Sequence, residues 1–411
     1  MYKMQAESEC KRRNSSREVH FVNFGGANAT SFWSKCRSNA NSLITGGSAD
    51  QRAQMLVQML QDYRSRPYSD PVIVLTGSAV VEAAVEDAAK SGVFGPAVLS
   101  SGRYRNYFPL CKMAPAYIVD IFTEIARSLN HSDLDSLENY IRAFLAVAAR
   151  RYGLSLASFL RLDAEYPMNY QLVALGQYLG VRLDYLHTIQ SYPQHTLNMR
   201  SILHRMKETY QKICKPDFIG KTNMLAAVDE RKLICINIHS QHPQTMDRIL
   251  AAELKQLMMS QRQFLLIIND VPMNTIDGLF EQVARAKNGY EGASVGLCTQ
   301  NIYGWLSGMP HNANAVETLM KNTQNVVLFH DSSDTDGSLE GVLHHFGRYI
   351  KHEVVLAGAH KSLSPAILSN DWDVVLVGER DRITPEDLVG YGVLLQGNHG
   401  RRIDLYRSIT I

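Results

Sequence analysis

Phe264-Leu-Leu-Ile-Ile-Asn-Asp-Val-Pro272 is an apolar run of strand length that breaks at two polar residues, Asn269 and Asp270. It shows no alternation of apolar and polar side chains. A strand that reads this way is buried on both faces, as in the middle of a parallel sheet covered by helices. Ligands of open parallel sheets sit just outside the carboxyl ends of the strands. Asn269 and Asp270 fall at that edge and are the first candidate site residues.

The neighbouring sequence repeats the strand–helix rhythm. Upstream, Lys232–Ile238 reads as a strand and Thr245–Ser260 as a helix with Ile249, Leu250, Leu254 and Leu257 on one face. Downstream come a helix over Asp277–Lys287, a strand over Ser294–Thr299, a helix over Asn314–Lys321, a strand over Asn325–His330 and a helix over Gly337–Tyr349. Val374–Val377 follows as a further apolar run, and Tyr391–Gln396 and Arg402–Tyr406 flank Gly397-Asn398-His399-Gly400, a hairpin signature.

The N-terminal part has the same rhythm. Short strands are expected at His20–Phe24, Ser42–Thr45, Pro71–Thr76 and Pro96–Leu99, with helices at Gln51–Tyr63 and Ala79–Ser91. Asp50 is the expected N-cap of the first helix. Alternating strands and helices predict an α/β fold with a mainly parallel sheet. Between Tyr117 and Met206 the pattern is helical instead, with helices at 117–129, 135–152, 155–160, 171–179 and 196–210 and Asp133 or Asp135 capping the second. Because the strand–helix rhythm resumes afterwards, this block reads as an inserted all-α domain.

Composition sets the outer bounds. A chain of 411 residues suggests roughly two or three domains. Its 45% apolar and 20% charged residues are ordinary for a globular protein, and a net charge of +2 gives no compositional sign of nucleic-acid binding. The six cysteines form no C-x-x-C pair, so neither a zinc site nor a disulfide framework is expected; Cys235 and Cys298 lie in strand-like runs and should be buried. No run of about 18 apolar residues occurs, so no membrane span is expected. Residues 1–19 are polar and basic and read as a disordered leader rather than a secretory signal.

The order of these pieces resembles the TraG/TraD-type coupling proteins of conjugation and type IV secretion, a branch of the RecA-like motors that includes FtsK and HerA. The similarity is carried by Leu265–Asp270, Ala284-Arg-Ala-Lys287, Cys298-Thr299-Gln300, Ile302-Tyr-Gly304 and Val326–Phe329, with Arg382–Leu388 and Gly392–Leu395 as a closing segment. The resemblance implies a RecA-like P-loop NTPase-type domain over 20–116 and 220–411, with the all-α domain at 117–219. It also implies partners among type IV secretion or conjugation proteins, with DNA or secreted substrates, in a hexamer or a hetero-assembly with an active motor. It places the chain in the cytoplasm, peripheral to the inner membrane through those partners.

The departures from the family pattern bear directly on function. A phosphate-binding loop G-x-x-x-x-G-K-[ST] uses backbone N–H groups to cradle phosphates, Lys for charge and a hydroxyl for Mg²⁺. The matching stretch runs from Gly46 and Gly47 through Asp50 to Gln51, Arg52 and Ala53. The second glycine, the lysine and the hydroxyl are all replaced, and Asp50 adds a negative charge. Asn269 stands where the resemblance puts the Mg²⁺ acid, and Asp270, one methylene short, where it puts the water-orienting Glu. Gln300 would sense the γ-phosphate. Gly46, Gly47, Gln51, Arg52 and Asn269 thus form a degenerate nucleotide site, with Asp270 and Gln300 catalytic only if it works.

Other motifs carry less. His239-x-x-His242 and His344-His345 have no acid or cysteine at ligand spacing, so no metal is expected. Arg103, Tyr104, Arg105 and Tyr107 interleave charge and rings but read as a loop. Gly292-Ala-Ser294-Val-Gly296 fits G-x-S-x-G, yet Ser294 opens a strand where a nucleophile elbow must end one. The expectation is a pseudo-ATPase of coupling-protein type acting as a docking or scaffold component, with ATP and Mg²⁺ as ligands only if the site is active. The alternative is a divergent, working ATP-driven translocase.

Overall fold

The computed structural model describes residues 2–14, 19–22, 27–28, 32–33, 41–65, 70–90, 97–99, 107, 110–111, 113–209, 222–238, 242–271, 293–301, 323–329, 343, 346, 348–361, 368–384, 387, 393–397, 402–406 and 409–410. The helices expected at Asp277–Lys287 and Asn314–Lys321, residues 284–287 and 302–304, His239, His344, His345 and residues 103–105 lie outside them. The chain divides into two compact units, Met1–Ser48 with Gln300–Ser307 and His311–Ile411, and Ala49–Thr299 with Gly308–Pro310.

In the first unit, β1 (Val19–Val22), β3 (Ser42–Gly46), β9 (Asn325–Phe329), β12 (Val393–Gly397) and β13 (Arg402–Tyr406) stand in the order β1-β13-β12-β9-β3. β3 and β9 are parallel, and the expected C-terminal hairpin β12–β13 adds antiparallel strands beside β9. A two-residue β2 (Ala27–Asn28) pairs with β14 (Ile409–Thr410). The long antiparallel hairpin β10 (Arg348–Lys361) and β11 (Leu368–Asp381) was not legible as such. Tyr349, expected at a helix end, lies in β10, where Tyr349-Ile350 and Val354-Val355-Leu356 favour an extended pleat.

Within the stretch expected as a disordered leader, the described residues include a helix. Tyr2–Arg13 forms α1, which packs on β10 and β11. Glu9 accepts hydrogen bonds from Arg12 and Arg13, three and four residues ahead, the spacing that supports a helix.

Gly46 shows what this unit demands of its sequence. Its φ is +77°, and a Cβ built there would lie 2.0 Å from the backbone oxygen of Phe329 on β9. The glycine is therefore needed for strand approach, whatever the neighbouring loop binds. Gly46→Ala is expected to cost about 2 kcal/mol of stability, since left-handed backbone and a backbone clash are both strained in a residue with a side chain. Urea unfolding measures this directly.

The second unit is built on the order β8-β7-β4-β6-β5: β8 (Ala293–Thr299), β7 (Phe264–Asn269), β4 (Val72–Thr76), β6 (Leu233–Asn237) and β5 (Ala97–Leu99). Each pairing is parallel. All six residues of β7 are buried, as its unbroken apolar run requires. Ser294 pairs with Leu265 near the start of β8, so no elbow forms there. The thiols of Cys235 and Cys298 are buried, which pushes both well above the usual cysteine range.

The helices of this unit are α2 (Ala49–Ser65), α3 (Ala79–Lys90), α4 (Pro115–Ser128), α5 (Leu134–Arg151), α6 (Leu156–Glu165), α7 (Asn169–Tyr178), α8 (Leu183–Ser191), α9 (His195–Thr209), α10 (Met224–Asp229) and α11 (Pro243–Met259). α8 and α10 are additional to the expected set. Asp50 is not an N-cap: α2 begins one residue before it. Asp133 does precede α5 but makes no side-chain bond to a backbone N–H there. Phe122, Phe144 and Phe159 meet edge-on and tie α4, α5 and α6 together, with centroids 5.7 and 6.3 Å apart. Among the described residues no single helix is long and apolar enough to cross a membrane; α5 and α6 are long and apolar enough only as a pair bent by 95°, and Leu137, Ile141, Phe144, Phe159 and Leu162 of that pair are buried in this helical core.

Candidate functional site

At the carboxyl edge of the second unit, the last residues of three strands stand in register: Asn237 of β6, Thr76 of β4 and Asn269 of β7. Parallel pairing brings them side by side, so the edge is a polar row over an apolar sheet. Asn269 is fully buried; its Nδ2 donates to Thr76 Oγ1 at 2.9 Å. Thr76 Oγ1 also accepts from the Ser78 N–H at 3.0 Å. Gly77 N donates to the Asn269 carbonyl at 3.0 Å. The Asn269 Oδ1 has no hydrogen-bond partner among the described residues. Beyond this row, Asn237 Nδ2 donates to Glu82 Oε2 of α3 at 2.5 Å.

One residue further on, Asp270 turns away from the strand with φ +44°, a conformation that Asp tolerates better than most side chains. Its N–H donates to the Cys298 carbonyl at 2.8 Å. Both of its carboxylate oxygens accept from Arg52 Nη2, at 3.3 and 3.2 Å. Arg52 is 4% exposed and Asp270 25%. The Arg52 guanidinium and the acid at the strand edge are thus paired with each other.

The segment leading to Arg52 is short. β3 ends at Gly46 and α2 begins at Ala49, leaving only Gly47 and Ser48 between them. A phosphate-loop pattern holds four residues between its glycines; here the last two of those positions, Ala49 and Asp50, already belong to the helix. Gly47 adopts φ +61°. Gln51 is exposed on α2.

In the first unit, Gln300 acts through its backbone: its carbonyl accepts from Gly46 N at 3.0 Å and from Thr45 Oγ1 at 3.3 Å. The structure therefore joins Arg52 with Asp270, Asn269 with Thr76, and Gly46 with Gln300. Thr76 was not singled out from sequence, although its place before Gly77-Ser78 at a strand end was the available signal. No group of three or more His, Cys, Asp or Glu able to hold a metal ion occurs among the described residues. His242 Nε2 instead meets Glu208 at 2.9 Å, and Tyr107 is buried with its hydroxyl on Glu253.

A mainly parallel sheet flanked by helices, a polar carboxyl edge and a helix-rich segment between β5 and β6 define an α/β fold of RecA-like, P-loop NTPase type. The chain superposes on a solved structure described as the bacterial conjugative coupling protein TrwBdeltaN70, unbound monoclinic form, with a TM-score of 0.50 at 11% identity, over 99% of this chain and 92% of that one. The trigonal form of that protein in complex with sulphate gives 0.49 at 10% identity over 97% and 91%. VirB4 of Thermoanaerobacter pseudethanolicus gives 0.47 at 10% identity over 89% and 99%. The first of these establishes a shared fold. No protein-family model matches the sequence, and no curated protein matches it.

Proposed function

We propose that this protein is a degenerate ATPase-fold component of a type IV secretion or conjugation machine, acting as a docking or scaffold element rather than as a motor. The observation that carries the reading is the Arg52–Asp270 pair. A working site of this fold keeps its cation for phosphate and its acid for water or metal. Here the two are spent on each other. The residues present do not fit a Mg²⁺–nucleotide: Asn269 is a neutral amide, Ala53 has no hydroxyl, and Asp50 adds negative charge to the first turn of α2. The short Gly47-Ser48 turn also leaves little backbone with which to wrap a phosphate.

The partner class rests on the likeness to a conjugative coupling protein and on the family motifs in the sequence. In this reading the protein works on the cytoplasmic side, reaches the inner membrane through its partners, and presents its helical segment, within 117–219, for docking.

Thermal-shift titration with ATP, ADP and a non-hydrolysable analogue, with and without Mg²⁺, tests it. A ligand that binds only the folded state raises stability by about 2.7 kcal/mol at 100 times its Kd, so even weak sites register at millimolar concentration. The expected result is no Mg²⁺-dependent shift and no ATP turnover above buffer. Steady turnover abolished by Asp270→Ala would instead establish an active translocase.

A further inference from the structure

Large hydrophobic side chains are unevenly exposed in this protein. Eight stand out of the surface among the described residues, and five of them, Met168, Tyr170, Tyr178, Leu183 and Leu197, belong to the stretch from α7 to the start of α9. Tyr170 is 71% and Tyr178 85% exposed. Such residues scattered singly need no explanation, whereas a group of them marks an interaction surface. This stretch is also free of charge around α7: no Asp, Glu, Lys, Arg or His occurs from Tyr166 to Val181.

Packing sets the faces of α7. Leu172, Leu175 and Gly176 are buried. A Cβ built at Gly176 would lie 2.4 Å from Leu186 Cδ2, so α8 seats closely on that side. The opposite side carries Tyr170, Ala174 and Tyr178, all exposed. Four-residue steps put these three in one row about 12 Å long, with the small residue at its centre. Thr196 Oγ1 donates to Asn169 Oδ1 at 3.2 Å, which sets Leu197 of α9 beside the start of α7, where Met168 lies. Leu183 opens α8 just past the other end of the row.

We propose that this face pairs with the same face of a second copy of the chain, α7 lying antiparallel to α7 about a two-fold axis at Ala174. The row reads the same from either end: Tyr, Ala, Tyr at equal steps. A two-fold contact requires such self-complementarity. In this pairing Tyr170 of each copy meets Tyr178 of the other, and the two alanines let the helix axes approach to about 8 Å. Met168 and Leu197 of one copy come toward Leu183 of the other.

The lack of charge selects the occupant. A partner bearing charged groups would bury them here against nothing of opposite sign, which is costly. A second copy brings none. The four tyrosines of the pair remove roughly 600 Å² from water, and the flanking Met168, Leu183 and Leu197 bring the total to about 1,000 Å², the low end for a specific interface. The pairing draws nothing from the nucleotide site, so it stands or falls apart from the function proposed above.

Sedimentation of the full chain from about 1 to about 200 μM tests this. The expected result is a monomer that passes to a dimer as concentration rises, with a dissociation constant in the micromolar range. Ala174→Glu brings two carboxylates together at the axis and should weaken the dimer about tenfold or more. Ala83→Glu, the same change at an exposed position of α3, should leave it unaltered. Should Ala174→Glu shift the urea midpoint, Tyr178→Ser reads the same interface from an exposed position and should weaken the dimer likewise. A chain that stays monomeric throughout overturns the pairing. So does an assembly indifferent to Ala174→Glu and Tyr178→Ser, or one that answers to Ala83→Glu as strongly.

Discussion

Truncating Glu253 to alanine is expected to lower the free energy of unfolding by about 4 kcal/mol, read as a drop in the urea midpoint at unchanged slope. Three buried donors, the Tyr107 hydroxyl and the amides of Leu110 and Met224, would lose their acceptor. Each costs about 1 to 3 kcal/mol when left unsatisfied in the interior, and water entering the new cavity would recover part of that. The strained Leu110 backbone would be free to relax, which sets the damage at the roots of the helical segment. Glu253→Gln should cost about half as much, because an amide keeps one acceptor but turns an N–H toward a donor. A loss near zero for alanine would mean the three donors find other partners easily, and the carboxyl would be incidental to the fold.

Much of the fold was legible because it follows from burial. Phe264–Asn269 had to be a central strand, since no half-exposed strand carries six apolar or buried positions in a row. The helices Pro115–Ser128 and Leu134–Arg151 declared themselves by apolar spacing. What escaped was decided by longer-range contact. Tyr2–Arg13 has little apolar face of its own and is fixed by Glu9 pairs and by packing on β10 and β11. The β10–β11 hairpin contains register shifts near His352 and Gly358, which break the simple alternation that marks a strand. Glu253 was readable in principle: it falls between Leu250 and Leu254, on the face that also carries Ile249 and Leu257.

The candidate site was legible as positions and not as pairings. The family resemblance singled out Arg52 and Asp270, 218 residues apart, without indicating that they bind each other. It read Asn269 as a lost metal ligand without supplying Thr76 as the partner of its amide. It assigned Gly46 to a phosphate loop, whereas the close approach to Phe329 demands that glycine independently. Residue identity reports what chemistry is missing; only the fold reports what has taken its place.

A mutant cycle on the Arg52–Asp270 pair separates a lock from a poised catalytic site. Asp270→Ala is expected to destabilise the protein by about 3 kcal/mol, because it removes the carboxylate paired with a guanidinium that is 4% exposed, and alanine tolerates the +44° backbone less well than aspartate. Arg52→Met keeps much of the side-chain length and buries no charge, so it should stay within about 1 kcal/mol of the parent, and the double variant should match it within that margin. The coupling between the two sites would then be about 3 kcal/mol in magnitude, measured by urea unfolding of all four proteins. In a working nucleotide site the opposite sign is the rule: catalytic groups are held at a cost in stability, and their removal stabilises the fold while ending activity. A gain in stability for Asp270→Ala would therefore count against the lock and return the site to the motors.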